Sequence, residues 1–238
     1  EEKNAALLKE MALLLTQEFQ RQSLAASMEA AEVAAQALRG FDSVLTHSKS
    51  RIVIDVLTRW AAPHRRVVVT ESRPLGEGIE TARALARAGL EVEVVTDAQA
   101  GLFIPGVDAV LTGADSVLHN GGVVNKAGTL LLALAACRFR TPFYVACETL
   151  KFHISPESKE LVLEEKRPRE VLSEESTNLK VRNIYFDVTP PDLIAGIATE
   201  AGLLTPAEAA RMIRKETKAL LPWLQRLRDK QLAGNAQP

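Results

Sequence analysis

The sequence is poor in cysteine, in net charge and in long apolar runs, and each shortage removes a class of protein. Its two cysteines, Cys137 and Cys147, fall on a predicted helix and a predicted strand. They offer neither a disulfide framework nor metal-ligand spacing, and they suit a reducing compartment. A net charge of −1 advertises no basic face, so nucleic acid is not expected as a partner. The longest apolar run stops at Arg138 and is too short to span a bilayer, so no membrane is expected either. No signal-like charged and apolar regions open the sequence. The expectation is a cytoplasmic protein. Apolar residues, at 47 %, are plentiful enough for a sizeable core in one large domain or a domain with an appendage.

Residues 1–39 contain no Pro and no Gly. Leu7, Leu8, Met11, Leu14, Leu15 and Phe19 recur at helical spacing, and Ala and Val positions repeat after Ser27. This predicts two helices or one broken helix, stopped at Gly40, with a core-facing or dimer-facing stripe. From residue 42 short apolar strands (43–47, 66–70, 91–97, 108–113, 142–147 and 183–188) alternate with helices at 51–60, 77–89 and after Lys126. Alternation of this kind specifies parallel strands joined by right-handed crossovers, hence a doubly wound, mainly parallel α/β sheet. The expected organisation is an amino-terminal helical region over 1–40 and a ligand-binding sheet domain over 41–238. Residues 151–181 are polar and read as a surface connection. Thr-Pro pairs at 189–190 and 205–206 read as helix starts, and the closing AGNAQP reads as a frayed end.

Candidate site residues gather at predicted strand ends, the rim where open α/β sheets bind small ligands. The stretch GADSVLHNGGVVNKAGT, 113–129, puts Asp115 just past a strand. Asn125 and Lys126 then stand at the expected start of the next helix, across a Gly-Gly turn. A cation there opposes the helix dipole, which calls for an anionic partner, either Asp115 or a ligand phosphate. The structural alternatives are a turn former and a solvated charge. In TESRPLGEG, 70–78, Arg73 can clamp a phosphate, and Gly76 and Gly78 permit close backbone approach; an exposed loop arginine is the alternative. In THSKSR, 46–51, Ser48, Ser50, Lys49 and Arg51 form a candidate phosphate cradle, unless the serines only cap the helix. His47 reads as a strand-end core residue. In CETLKFH, 147–153, Glu148 and Lys151 share the same rim, and His153 reads as a surface residue. Asp187 suits a cap for a helix near Pro190, and Glu200 a subunit contact. No metal cluster appears, and no G-x-G-x-x-G follows the first strand, which disfavours a nicotinamide dehydrogenase.

At these motifs, together with FYVACETLKF and FDVTPPDLIAGIATEAGLLTP, residues 42–218 resemble the family of initiation factor 2B alpha, beta and delta subunits. That family includes methylthioribose-1-phosphate isomerase and archaeal ribose-1,5-bisphosphate isomerase. The resemblance implies a Rossmann-like carboxyl-terminal domain, a helical amino-terminal region and a homodimer built through the sheet domain. It implies a pocket for a phosphorylated sugar or nucleoside monophosphate, and acid–base isomerisation without a metal or nucleotide cofactor. The isomerases work with an Asp and a Cys; the Asp matches Asp115, their Asn-Lys pair matches Asn125 and Lys126, and their Arg before Pro matches Arg73. Arg51 would help hold phosphate. Their Cys falls where this sequence has Ser48, and a serine hydroxyl needs a strong adjacent base to carry protons. The alpha subunits also lack the Cys and carry a pair like Ser50-Arg51, yet they tend to lose the aspartate kept here. The isomerases have Gln near Glu77, and an Arg-Gly-Ala substrate segment that these residues do not contain. Two functions follow: a sugar-phosphate isomerase-like protein using Asp115, or a non-catalytic regulatory subunit that senses the ligand and acts through a protein partner.

Overall fold

A computed structural model describes residues 2–154, 163–174 and 177–234. Its centre is a sheet of strands β1 (Ser43–Thr46), β2 (Arg66–Thr70), β3 (Glu91–Val95) and β4 (Ala109–Thr112), with three more described below. β1 pairs in parallel with β2 on one side and β4 on the other, Thr46 meeting both Val69 and Leu111. From β1 the chain therefore winds outward through β2 and β3, then returns to start again at β4. The reversal opens a crevice beyond the carboxyl ends of β1 and β4, where open α/β sheets hold ligands.

The strands alternate between two apolar layers because successive side chains point to opposite faces. Val44, Val67, Val69 and Leu111 face α2 (Arg51–Trp60) and α3 (Glu77–Arg87). Leu45, Val68 and Val110 face the other layer, with α5 (Thr129–Phe139); the short α4 (Ala100–Phe103) lies before β4. On α2 the residues Ile52, Val53, Val56, Leu57 and Trp60 fall on one helical face and are all buried. The predicted helices at 51–60 and 77–89 and the first five predicted strands are found within a few residues of their expected bounds.

Several elements differ from expectation. The amino-terminal region is one helix, α1 (Glu2–Ala37), neither broken nor doubled. Its last turns join the core through Ala30, Ala31, Ala34 and Ala35, and the Trp60 indole donates to the Leu38 carbonyl at 2.9 Å. The leucine-rich stripe does not face the core: Leu8, Met11, Leu14, Leu15 and Phe19 are exposed.

Residues 123–126 are a strand, not a helix start. β5 (Ser116–Val117), β6 (Val123–Lys126) and β8 (Phe186–Thr189) form a separate antiparallel sheet. The stretch at 183–188 therefore pairs with β6 instead of extending the parallel sheet.

β7 (Phe143–Ala146) joins β4 in parallel, and β9 (Gly196–Thr199) joins β7. β10 (Gly202–Leu204) closes that edge antiparallel. The first Thr-Pro pair thus leads only into a short 3-10 turn at Pro191–Leu193 and then a buried strand. The second does open a helix, α6 (Pro206–Gly234), where Thr205 and Glu208 bond each other's backbone in a capping box. Of the connection at 151–181, residues 155–162 and 175–176 lie outside the described residues, as do the last four of AGNAQP. Among the described residues no helix is long and apolar enough to cross a membrane.

Candidate functional site

The crevice at the carboxyl ends of β1, β4 and β7 opens into a cavity of about 700 Å³. The β1 loop contributes Ser48 and Ser50, and α2 begins there with Arg51. Ser50 stands at the cap position of α2, yet its side chain makes no capping bond. The first turn of α2 consequently faces the cavity with the partial positive charge of a helix start. The β4 loop brings Ala114 and Asp115, β6 brings Asn125 and Lys126, and the turn after β7 brings Glu148 and Lys151. Ser48, Ser50, Arg51, Asp115, Asn125, Lys126, Glu148 and Lys151, all picked from sequence, thus meet around one hollow.

Asp115 is tied into position by its backbone N–H, which donates to the Val124 carbonyl at 2.9 Å. The hairpin register, Ser116 opposite Val124, sets Asp115 opposite Asn125. Its carboxylate is open to the cavity. The protein around it raises its pKa above the ordinary carboxylate value, chiefly by desolvation; Glu77 adds to the rise, while Lys151 and Lys126 oppose it. Asn125 is buried and donates to the Thr129 hydroxyl at 3.0 Å, bracing the turn into α5.

Lys126 does have an anionic partner, but it is Glu77 at the start of α3. The ammonium lies 3.0 Å from both Glu77 oxygens and 3.6 Å from the centre of the Tyr185 ring. Glu77 also accepts from the Ser48 hydroxyl at 2.8 Å and from the Tyr185 hydroxyl at 3.1 Å. The sequence offered Asp115 or a ligand phosphate for this role. The partner is instead a carboxylate 49 residues earlier in the chain, which sequence spacing does not reveal.

Arg73 and Gly76 do not line the cavity. The Arg73 guanidinium donates to the carbonyls of Pro74 and Val171, at 2.8 and 3.2 Å. Gly76 holds the left-handed backbone conformation that opens α3, with φ +69°. Its role is to turn the chain so that Glu77 meets Lys126.

His47 is a buried core residue, and it props the floor of the site. Its Nε2 donates to the Ala127 carbonyl at 3.0 Å, which leaves Nδ1 to accept from the Thr70 hydroxyl at 2.6 Å. Burial lowers its pKa, so the neutral ring is favoured; Asp97, 3.8 Å away, opposes that shift. The ring packs against Gly128, whose φ is +113°. A Cβ there would lie 2.9 Å from Nε2, so only glycine fits.

Asp187 does not cap a helix near Pro190. It reaches across from β8 and accepts from the N–H groups of Gly128 at 2.7 Å and Leu130 at 3.1 Å, capping α5. Glu200 accepts from the Thr149 N–H within the same chain, fixing the turn that carries Lys151. Sequence reasoning missed Tyr185, Phe186 and the wall that α1 supplies through Phe19, Gln20, Ser23, Leu24 and Ser27. Phe19 belonged to a visible helical stripe, but nothing in its spacing marked it as a ligand-facing residue.

The fold agrees with comparisons to known proteins. The model of the initiation factor 2 subunit family matches residues 1–206. The chain belongs to this family. A translation initiation factor eIF-2B subunit 2-like protein of Pyrococcus furiosus is 42 % identical over 200 residues, 83 % of this chain and 70 % of the relative. A ribose 1,5-bisphosphate isomerase of Methanocaldococcus jannaschii is 37 % identical over 212 residues, 87 % of this chain and 69 % of the relative. The crystal structure of 5-methylthioribose 1-phosphate isomerase from Pyrococcus horikoshii superposes with a TM-score of 0.73 at 25 % identity, covering 90 % of this chain and 65 % of that one. The chain thus spans 65–70 % of the length of each of these relatives.

The Ser48 hydroxyl is committed to Glu77. Cys147 also lines the cavity, but it is not a reactive thiol. It is 1 % exposed, and burial pushes its pKa far above the ordinary thiol value, so it stays protonated. Among the described residues no group of three His, Cys, Asp or Glu side chains is arranged to hold a metal.

Proposed function

We propose that the chain is a sugar-phosphate isomerase-like protein that binds a phosphorylated ribose derivative in the strand-end cavity, with Asp115 as its proton carrier. The observation that carries this reading is the meeting of Asp115 with Lys151, Arg51 and the uncapped start of α2 around one hollow. A cation pair and a helix start suit a phosphate. A carboxylate whose pKa is raised above its ordinary value by desolvation suits proton transfer better than a fully solvated one. Converting an aldose to a ketose moves one proton from carbon 2 to carbon 1 and one between the two oxygens. It changes no net oxidation state, and Asp115 takes the carbon-bound proton and returns it.

The names of the relatives support a ribose phosphate as ligand class. A homodimer belongs to the same proposal, supported by the apolar Leu131, Leu134 and Phe139 left exposed on α5; light scattering of the purified protein tests it.

A second reading, a regulatory subunit that senses the ligand without turnover and acts through a protein partner, is favoured by the bond from Ser48 to Glu77. That bond holds the hydroxyl against a carboxylate already engaged with Lys126, and the thiol that lines the cavity, Cys147, is buried and held protonated. The two readings part in one experiment. Thermal melts with ribose 5-phosphate, ribose 1-phosphate and adenosine monophosphate report binding, and proton NMR of the same mixtures reports isomerisation. The isomerase reading expects turnover that falls by about a hundredfold or more in Asp115→Asn. Stabilisation by ligand without turnover in either protein would reject it in favour of the sensor.

A further inference from the structure

We infer that Glu77 makes this cavity selective for a ligand bearing a single phosphate, an inference that rests on the phosphate-binding reading above. Four basic side chains line the cavity: Lys49, Arg51, Lys126 and Lys151. Two of them are already paired with a carboxylate. Lys49 is paired with Glu80 on the outer turn of α3. Lys126, only 3 % exposed, gives two of its protons to the Glu77 oxygens and covers the Tyr185 ring with the rest of the ammonium. An ammonium has three donors, so this one has nothing left to offer an anion.

Glu77 is equally committed. Its two oxygens accept from Lys126, from Ser48 and from Tyr185, which fixes the carboxylate at the deep end of the cavity with 17 % of its side chain open. Any anion entering there meets a negative group whose countercharge is already used. Pulling Lys126 away to serve a phosphate would leave Glu77 buried and uncompensated, which is the costly way to break such a pair.

Arg51 and Lys151 remain. Both are exposed at the cavity mouth, and among the described residues neither side chain forms an ion pair. They stand against Asp115 and Glu148. Two free cations and a helix start accommodate one phosphate dianion. A second phosphate on the same sugar would find no unpaired cation and would face Glu77. Glu77 is therefore a specificity-determining residue, acting by holding Lys126 out of use.

Isothermal titration of the purified protein with ribose 5-phosphate, ribose 1-phosphate and ribose 1,5-bisphosphate tests this. The wild-type chain should bind one of the monophosphates about tenfold or more tightly than the bisphosphate. Glu77→Gln removes the negative charge and frees Lys126, and should shift that ratio towards the bisphosphate by about tenfold or more. The double variant Glu77→Gln with Lys126→Met, which frees no cation, should not show the shift. A wild-type preference for the bisphosphate overturns the inference, and this comparison needs no variant to fold. An unchanged ratio in a folded Glu77→Gln overturns it as well. If no sugar phosphate binds either protein, the phosphate-binding reading itself fails and takes the inference with it.

Discussion

Removing one member of the Lys126–Glu77 pair should damage the fold far more than removing both. Lys126→Met leaves the Glu77 carboxylate with only the hydroxyls of Ser48 and Tyr185. Breaking a buried pair in this way costs about 3–5 kcal/mol. Glu77 keeps two donors and some exposure to the cavity, which places the loss near the lower end, about 3 kcal/mol. At about 2–4 °C per kcal/mol for a domain of this size, the melting temperature should fall by about 6–12 °C. Glu77→Met strands the ammonium over the Tyr185 ring and should cost a similar amount. The double variant buries no unpaired charge and should return to within about 1 kcal/mol of wild type. Urea denaturation followed by circular dichroism gives each free energy, and the cycle should yield a coupling of at least about 2 kcal/mol. Single losses that simply add in the double variant would refute the closed pair.

Three further outcomes follow from other parts of the site. Asp115→Asn should raise the melting temperature at pH 7 while removing proton transfer. The raised carboxyl pKa means that the folded state disfavours the ionised form, so the cost is absent at acid pH and fully present once pH has risen through the folded pKa. His47 works in the opposite direction. Because burial lowers its pKa, the unfolded chain binds that proton more readily, and stability should fall as pH drops below about 6.5. Melts from neutral to acid pH should show a steeper decline for wild type than for His47→Gln. Asp187→Ala removes the acceptor for two N–H groups of α5 and should cost about 1–2 kcal/mol in urea denaturation.

The sheet was legible because its strands are short apolar runs set between helices with one clear apolar face, as in RVVVT and RIVIDVLTRW. The rim residues were legible for the same reason, since a strand followed by polar residues marks a carboxyl end wherever the strands are parallel. VVNK was misread because β6 is buried along its whole length, so it lacks the alternation that identifies a half-exposed strand, and the helix beyond it begins only after Gly128. IAGIAT was misread similarly: β9 is buried throughout and built largely of small residues. The choice between a free and an occupied Lys126 depends on a residue 49 positions away, across a sheet that sequence patterning orders only coarsely. Arg73 looked like a clamp because a guanidinium just past a strand end can make two parallel bonds to a phosphate, but the loop carries it towards Val171.

The most direct test of the account is a crystal structure of the chain soaked with ribose 5-phosphate. The phosphate should lie against Arg51, Lys151 and the start of α2, with the open sugar chain over Asp115 and Lys126 still bound to Glu77. A phosphate held by Arg73 or by a released Lys126, or a sugar beyond the reach of the Asp115 carboxylate, would contradict it.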